Sequence, residues 1–242
     1  MIVCIPTKGR PQTATYRLFE GSGFRVFHFI EPQEFEEYDV PNKVNIKDSD
    51  KGVTWARNFI NNWARQNNHQ FICVCDDDIT QFGVAQNQKA IKKPNADALK
   101  HIFEFFECGD FAMCGINQRQ FAWSEKRNAC VNHGKFNGMV MLNLQKISWE
   151  YRGHKEDLDF AMQCLDNRQN MVYFPKVFYS TPAIGSNAGG LHDWYEAKGD
   201  ARAAQDIVRL WPDYATIKEQ FGRVDVKLDM KAKARDMGLK IL

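Results

Sequence analysis

Residues 71–78 read Phe-Ile-Cys-Val-Cys-Asp-Asp-Asp. Five apolar residues without alternation form a strand buried on both faces, the usual state in a parallel sheet. Three carboxylates follow at its C-terminal end, where open α/β sheets bind their ligands. Upstream, Gly52 opens a helix through Asn67 in which Val53, Ala56, Phe59, Ile60, Trp63 and Ala64 recur at helical spacing, an apolar stripe that faces a core. Before it the chain reads as a strand over 2–6, a short helix over 12–20, a strand over 24–30 that ends at Glu31-Pro32, and a weaker strand over 43–46. Downstream the pattern predicts a helix over 95–107, a strand over 111–116, and a strand over 136–144 entered through Asn137-Gly138. A helix opening near His154 or Glu156, a strand over 171–174, a Gly-rich loop over 184–191 and helical C-terminal segments complete the chain. The alternation predicts an α/β fold: a Rossmann-like, mostly parallel central sheet flanked by helices.

The 242 residues suit one large domain over 1–222, with 223–242, six Lys/Arg against three Asp/Glu, as a basic C-terminal helix or mobile tail. Lys plus Arg number 32 against 30 Asp plus Glu, which excludes a polycation, so a polyanionic partner must be met by a local patch. No apolar run approaches the ~20 residues of a membrane helix. The opening MIVCIPTKGRPQ reads as a strand entering a loop rather than a leader, and a cytoplasmic protein is expected. Seven cysteines include no C-x-x-C pair and lie mostly in apolar runs, where reduced thiols pack as small hydrophobes.

Hard oxygen donors at the end of a buried strand suit Mg²⁺ or Mn²⁺, and such an ion neutralises a diphosphate. The two-residue period of a strand lets Asp76 and Asp78 converge on the ion while Asp77 turns aside toward a ribose or sugar. A solvated acidic turn or helix cap is the plainer alternative; against it, adjacent carboxylates raise one another's pKa unless a cation intervenes. The loop Pro6-Thr7-Lys8-Gly9-Arg10-Pro11 follows the first strand, a position that serves nucleotide phosphates, although it lacks the Walker spacing. Glu156-Asp157, with Asp159 two residues on, opens a helix. The helix dipole alone favours carboxylates there, and a general base beside an acceptor hydroxyl asks for the same placement. In Gly189-Gly190-Leu191-His192-Asp193-Trp194 a lone His more often serves as a satisfied polar residue than as a ligand, but if the triplet binds a cation the imidazole of His192 is the one to complete its coordination, with His154 as the rival. Between Asn117 and Lys155 seven Lys/Arg face two Asp/Glu, interleaved with Phe121, Trp123, Phe136, Trp149 and Tyr151, a pattern that suits either a polyanion-facing surface or an ordinary solvated edge.

The order of these features resembles the GT-A glycosyltransferases. More narrowly, IPTKGRP with Thr13, IEP followed by Tyr38, GVTWARN over 52–58, FICVCDDDI and HKEDLDF look like the phage TET-associated DNA glycosyltransferases, relatives of the kinetoplastid base J glucosyltransferase. The resemblance covers roughly residues 1–195. It implies that Thr7, Lys8, Arg10 and Glu31 hold the nucleotide of a UDP-sugar and that Arg57 approaches its phosphates or sugar. It further implies that Asp76, Asp78 and His192 bind Mn²⁺ or Mg²⁺. Asp157 would be the base for the acceptor hydroxyl and Glu156 would orient it, with in-line attack inverting the anomeric centre. The implied acceptor is the hydroxymethyl group of 5-hydroxymethylcytosine, or of 5-hydroxymethyluracil, in bacteriophage DNA, and the implied place the cytoplasm of an infected host. Two other readings stand beside it: a GT-A enzyme acting on a surface polysaccharide or lipid-linked acceptor, and a non-catalytic nucleic-acid-binding module with a structural acidic triplet.

Overall fold

The computed structural model describes residues 1–87, 89–93, 96–122, 130–182, 199–220 and 223–240. Its main sheet contains β1 (Ile2–Thr7), β2 (Arg25–Ile30), β3 (Lys43–Asn45), β4 (Phe71–Cys75), β5 (Gln81–Gln86), β6 (Lys89–Lys93), β7 (Met113–Gln118), β8 (Met139–Asn143) and β9 (Met171–Ser180). The strand order is β3-β2-β1-β4-β8-β7-β9-β5-β6. The first four strands are mutually parallel, β8 runs antiparallel between β4 and β7, and β9 pairs parallel with β7 before β5 and β6 each reverse. All but β8 and β5 therefore run one way, and the sheet is the mixed, mostly parallel one expected.

β4 lies inside the sheet and is apolar on both faces because both are covered. Ile72 and Val74 belong to a core shared with α2 (Val53–Gln66) and α5 (Glu156–Asp166), while Cys73 and Cys75 face the layer of α1 (Ala14–Phe19) and α3 (Lys100–Cys108); the one-turn α4 (Arg119–Ala122) follows β7. The predicted stripe of α2 buries Ala56, Ile60 and Ala64, with Phe59 and Trp63 packed against Phe29. Gly52 caps this helix at φ +83°, a left-handed conformation that glycine adopts without strain. Cys4, Cys73, Cys75, Cys114 and Cys164 are buried free thiols.

Three segments depart from expectation. β9 continues past residue 174 to Ser180, and a register shift between Ile116 and Asn117 takes up Pro175, which has no N–H for the ladder. The polar run 81–93 forms the hairpin β5–β6. After α6 (Gly199–Leu210), where further helix was expected, Ala215–Gln220 (β10) and Arg223–Leu228 (β11) pair as an antiparallel hairpin, followed by α7 (Met230–Asp236). Ile217 stands opposite Val226, a cross-strand pair of β-branched residues that favour strand where the spacing of the lysines suggests helix. The expected boundary at 222/223 falls between these two strands, and Val226, Met230 and Ala234 join the core.

The described part of the 117–155 stretch is not an open basic face. Lys135 and Lys155 stand 3.6 and 3.2 Å from Asp225, which Lys218 also approaches at 3.5 Å. Lys146 pairs with Asp110 and Arg152 with Asp159, while Phe136, Trp149 and Tyr151 are buried. These partners neutralise four of the five described cations of the stretch; Arg119 stays exposed without an ion pair among the described residues. Trp123, Lys126 and Arg127 lie outside the described residues.

Candidate active site

The acidic triplet leaves β4 held by its backbone. Asp76 N–H donates to the Gly138 carbonyl at 2.8 Å. Gly138 sits at φ +70°, and a Cβ there would fall 2.6 Å from the Tyr179 ring, so Asn137-Gly138 admits a close approach that a side chain would block. On the other side Thr15 Oγ1 donates to the Asp76 carbonyl at 2.6 Å and accepts from Ile79 N–H at 2.8 Å. Thr15 is fully buried; the motif reading singled out Thr13 and missed it.

Asp77, expected to face a ribose or sugar, turns inward. Thr7 Oγ1 donates to its Oδ2 at 2.8 Å and Arg10 Nη1 to its Oδ1 at 2.5 Å, so it ties the β1 loop to the triplet. Tyr38 completes the tie: its hydroxyl accepts from Arg10 N–H at 2.9 Å, lies 3.2 Å from Thr7 Oγ1 and donates to Glu34 Oε2 at 3.3 Å. Burial pushes the Tyr38 phenol up to about 12. Glu34 also accepts from Gly9 N–H at 2.5 Å. Glu31 is buried and holds Lys8 at 3.0 Å. The loop thus brings Thr7, Lys8, Arg10 and Glu31 together as expected, and Lys8 and Arg10 keep the greater exposure, 39% and 23% against 7% for Glu31.

Arg57 joins the two expected acidic motifs. Its Nη2 donates to Asp76 Oδ1 at 3.0 Å, and its Nη1 forms an ion pair with Glu156 Oε1 at 3.0 Å without hydrogen-bond alignment. Burial works against the Arg57 charge, but Glu156 and Asp76 outweigh it and raise its pKa. Burial pushes Asp76 up to about 6 against the pull of Arg57, with Asp78 and Asp77 adding to the rise. Glu156 goes up to about 7, again chiefly from burial, with Arg57 opposing and Asp157 and Asp76 contributing. Asp157 itself is half-buried and has no hydrogen bond or ion pair among the described residues. The next residue of α2, Asn58, clamps the Tyr151 backbone: Nδ2 donates to Tyr151 O and Tyr151 N–H donates to Oδ1, both at 2.8 Å. Tyr151 stacks on Phe160 at 3.8 Å, and its buried hydroxyl has no hydrogen-bond partner among the described residues. Asn58 closes the GVTWARN motif and Tyr151 belongs to the aromatic pattern over 117–155, but nothing in the sequence pairs the two.

Asp76 and Asp78, with side chains 38% and 25% exposed, offer hard oxygen donors at the open end of β4. Arg57 stands 3.0 Å from Asp76 and Arg10 3.6 Å from Asp78, and two part-exposed carboxylates are donors of the kind that Mg²⁺ or Mn²⁺ takes. Among the described residues no three His, Cys, Asp or Glu side chains surround one point. His192 lies outside them, and His154 is exposed before α5.

Solved structures similar to the chain include A197 from STIV, 11% identical with TM-score 0.46 over 74% of this chain and 83% of the other. CMP:2-keto-3-deoxy-manno-octonic acid synthetase with CTP is 9% identical with TM-score 0.42 over 85% and 98%. The apo-form glycosyltransferase GlyE of Streptococcus pneumoniae TIGR4 is 12% identical with TM-score 0.36 over 70% and 44%. No curated protein matches the sequence. No helix among the described residues is long and apolar enough to cross a membrane. The family model of the TET-Associated Glycosyltransferases matches residues 1–190, which include the β1 loop, Arg57, the acidic triplet and Glu156-Asp157. The chain belongs to that family and is a glycosyltransferase.

Proposed function

We propose that the chain transfers a sugar from a UDP-sugar to the hydroxymethyl group of a modified pyrimidine in DNA, 5-hydroxymethylcytosine before 5-hydroxymethyluracil. The observation that carries this reading is the half-buried carboxylate of Asp157, unpaired among the described residues, beside the Arg57-bridged pair Asp76 and Glu156. Lys8 and Arg10 bind the diphosphate from the β1 loop. Asp76 and Asp78 would hold a divalent cation, for which the sequence also offers His192, and when bound the cation would offset the charge that develops on the departing diphosphate. Asp157 accepts the acceptor hydroxyl proton as its oxygen bonds to the anomeric carbon and the bond from that carbon to the UDP oxygen breaks, which inverts the centre. Arg57 bridges Glu156 and Asp76 and holds the two in register. Family membership supports modified DNA as the acceptor.

The test is incubation with Mn²⁺, a panel of UDP-sugars, and DNA carrying either modified base or neither, followed by nucleoside mass spectrometry. A sugar mass gain on one modified base, abolished by EDTA, is the expected result. Donor hydrolysis with no gain on any DNA would move the acceptor to a polysaccharide or lipid, and retention in the product NMR would remove Asp157 from the base role.

A further inference from the structure

The hairpin β5–β6 leaves the acidic triplet directly: only Ile79 and Thr80 separate Asp78 from Gln81. From residue 79 to 96 the sequence holds Lys89, Lys92 and Lys93 and no Asp or Glu. β6 is the outer strand of the sheet. All three lysines are exposed, and so, at 38%, is Ile91 between them. None of the three has an ion pair among the described residues, whereas Lys135, Lys146, Arg152 and Lys155 of the more basic-looking stretch all do. Lys89 and Lys93 share one face of the strand and Lys92 the other, so positive charge lines both sides of the edge. Lys93 pairs with Phe82 and Lys89 with Gln86, which places Lys93 toward the catalytic end and Lys89 about 13 Å further out. That length matches the axial rise of about four base pairs.

We propose that the outer edge of β6 is the track that holds the phosphate backbone of the acceptor DNA, with Lys89, Lys92 and Lys93 as its contacts. The inference rests on the DNA-acceptor reading above. Lysines on an edge strand also keep sheets from pairing edge to edge, a role that would leave DNA affinity unmoved.

The test measures binding of a labelled duplex containing 5-hydroxymethylcytosine by fluorescence anisotropy at several KCl concentrations, for the wild type, a Lys89→Ala/Lys92→Ala/Lys93→Ala variant and the corresponding triple Lys→Arg variant. Each phosphate contact contributes about 0.9 to the slope of log affinity against log salt. The alanine variant should lose about 2 to 3 from that slope and the same proportion of its affinity gain at low salt, while the arginine variant behaves as wild type. Sugar transfer to the free hydroxymethyl nucleoside should be equal in all three. An unchanged slope in the alanine variant overturns the track while leaving the DNA reading intact. A wild type without affinity for any DNA overturns the DNA reading and the track with it. Loss of slope in the arginine variant as well overturns a purely electrostatic contact.

Discussion

Arg57 Nη1 stands 3.0 Å from Glu156 Oε1, with the two side chains only 6% and 8% exposed. Removing one member of a buried pair leaves the other as an uncompensated charge, at a cost of about 3–5 kcal/mol. Arg57→Ala should therefore lower stability by about 3 kcal/mol at pH 8 in urea denaturation. At pH 5.5 Glu156, with its pKa pushed up to about 7, is protonated in the fold, and the loss should be clearly smaller. Equal losses at both pH values would assign the cost to packing rather than to charge.

The pH dependence of the wild type follows from the same carboxyl. Below about 4.5 Glu156 is protonated in both folded and unfolded chains and contributes nothing. Between about 4.5 and 7 the folded chain binds a proton that the unfolded chain lacks. Stability then falls as pH rises through that window, by up to about 3 kcal/mol, and stays lowered above it. Glu156→Gln should flatten this part of the profile, as measured by denaturant midpoints from pH 4.5 to 8. A variant that keeps the full wild-type slope would place the titration elsewhere.

The acidic end of β4 and the apolar stripe of α2 were legible because each rests on local periodicity: FICVC has one reading in a covered sheet, and GVTWARN carries its own cap and face. The inward turn of Asp77 was not legible, since it depends on Thr7, Arg10 and Tyr38, elements distant in sequence. Charge counting failed over 117–155 for the same reason. Asp225, on a hairpin that looked helical, gathers Lys135, Lys155 and Lys218. Thr15 was missed because a buried threonine that hydrogen-bonds the backbone of another loop looks, in sequence, like any helix residue.

Tyr38 and Thr7 make the β1 loop a preformed cradle, since the loop's backbone N–H groups and the Asp77 carboxylate are fixed before any ligand arrives. Tyr38→Phe removes the hydroxyl that accepts from Arg10 N–H and leaves the ring in place. The variant should stay folded with a cost of about 1–2 kcal/mol. Its KM for the nucleotide sugar should rise severalfold with kcat little changed, because in the proposed function the loop binds the donor and does not touch the attacking oxygen. A fall in kcat at unchanged KM, in steady-state assays at saturating acceptor, would contradict this division.

Asp157 and Asp159 are two residues apart on α5 and have opposite expected phenotypes. Asp159 is fully buried and accepts from Arg152 Nε at 2.7 Å, Arg152 Nη2 at 3.0 Å, and Gln163 Nε2 and Trp211 Nε1, each at 2.8 Å. Asp159→Ala strands those donors and opens a void between α5 and the segment bearing Trp211, so stability should fall by about 3–5 kcal/mol. Molecules that remain folded should transfer sugar at the wild-type rate. Asp157 has no such partners among the described residues. Asp157→Asn should hold stability within about 0.5 kcal/mol while transfer falls by roughly 10²–10⁴-fold. Urea denaturation followed by tryptophan fluorescence, paired with single-turnover assays below the unfolding transition, separates the two. If Asp157→Asn kept its rate, the proton acceptor would have to be another group, and Glu156 beside it, whose pKa burial raises, would be the first to test.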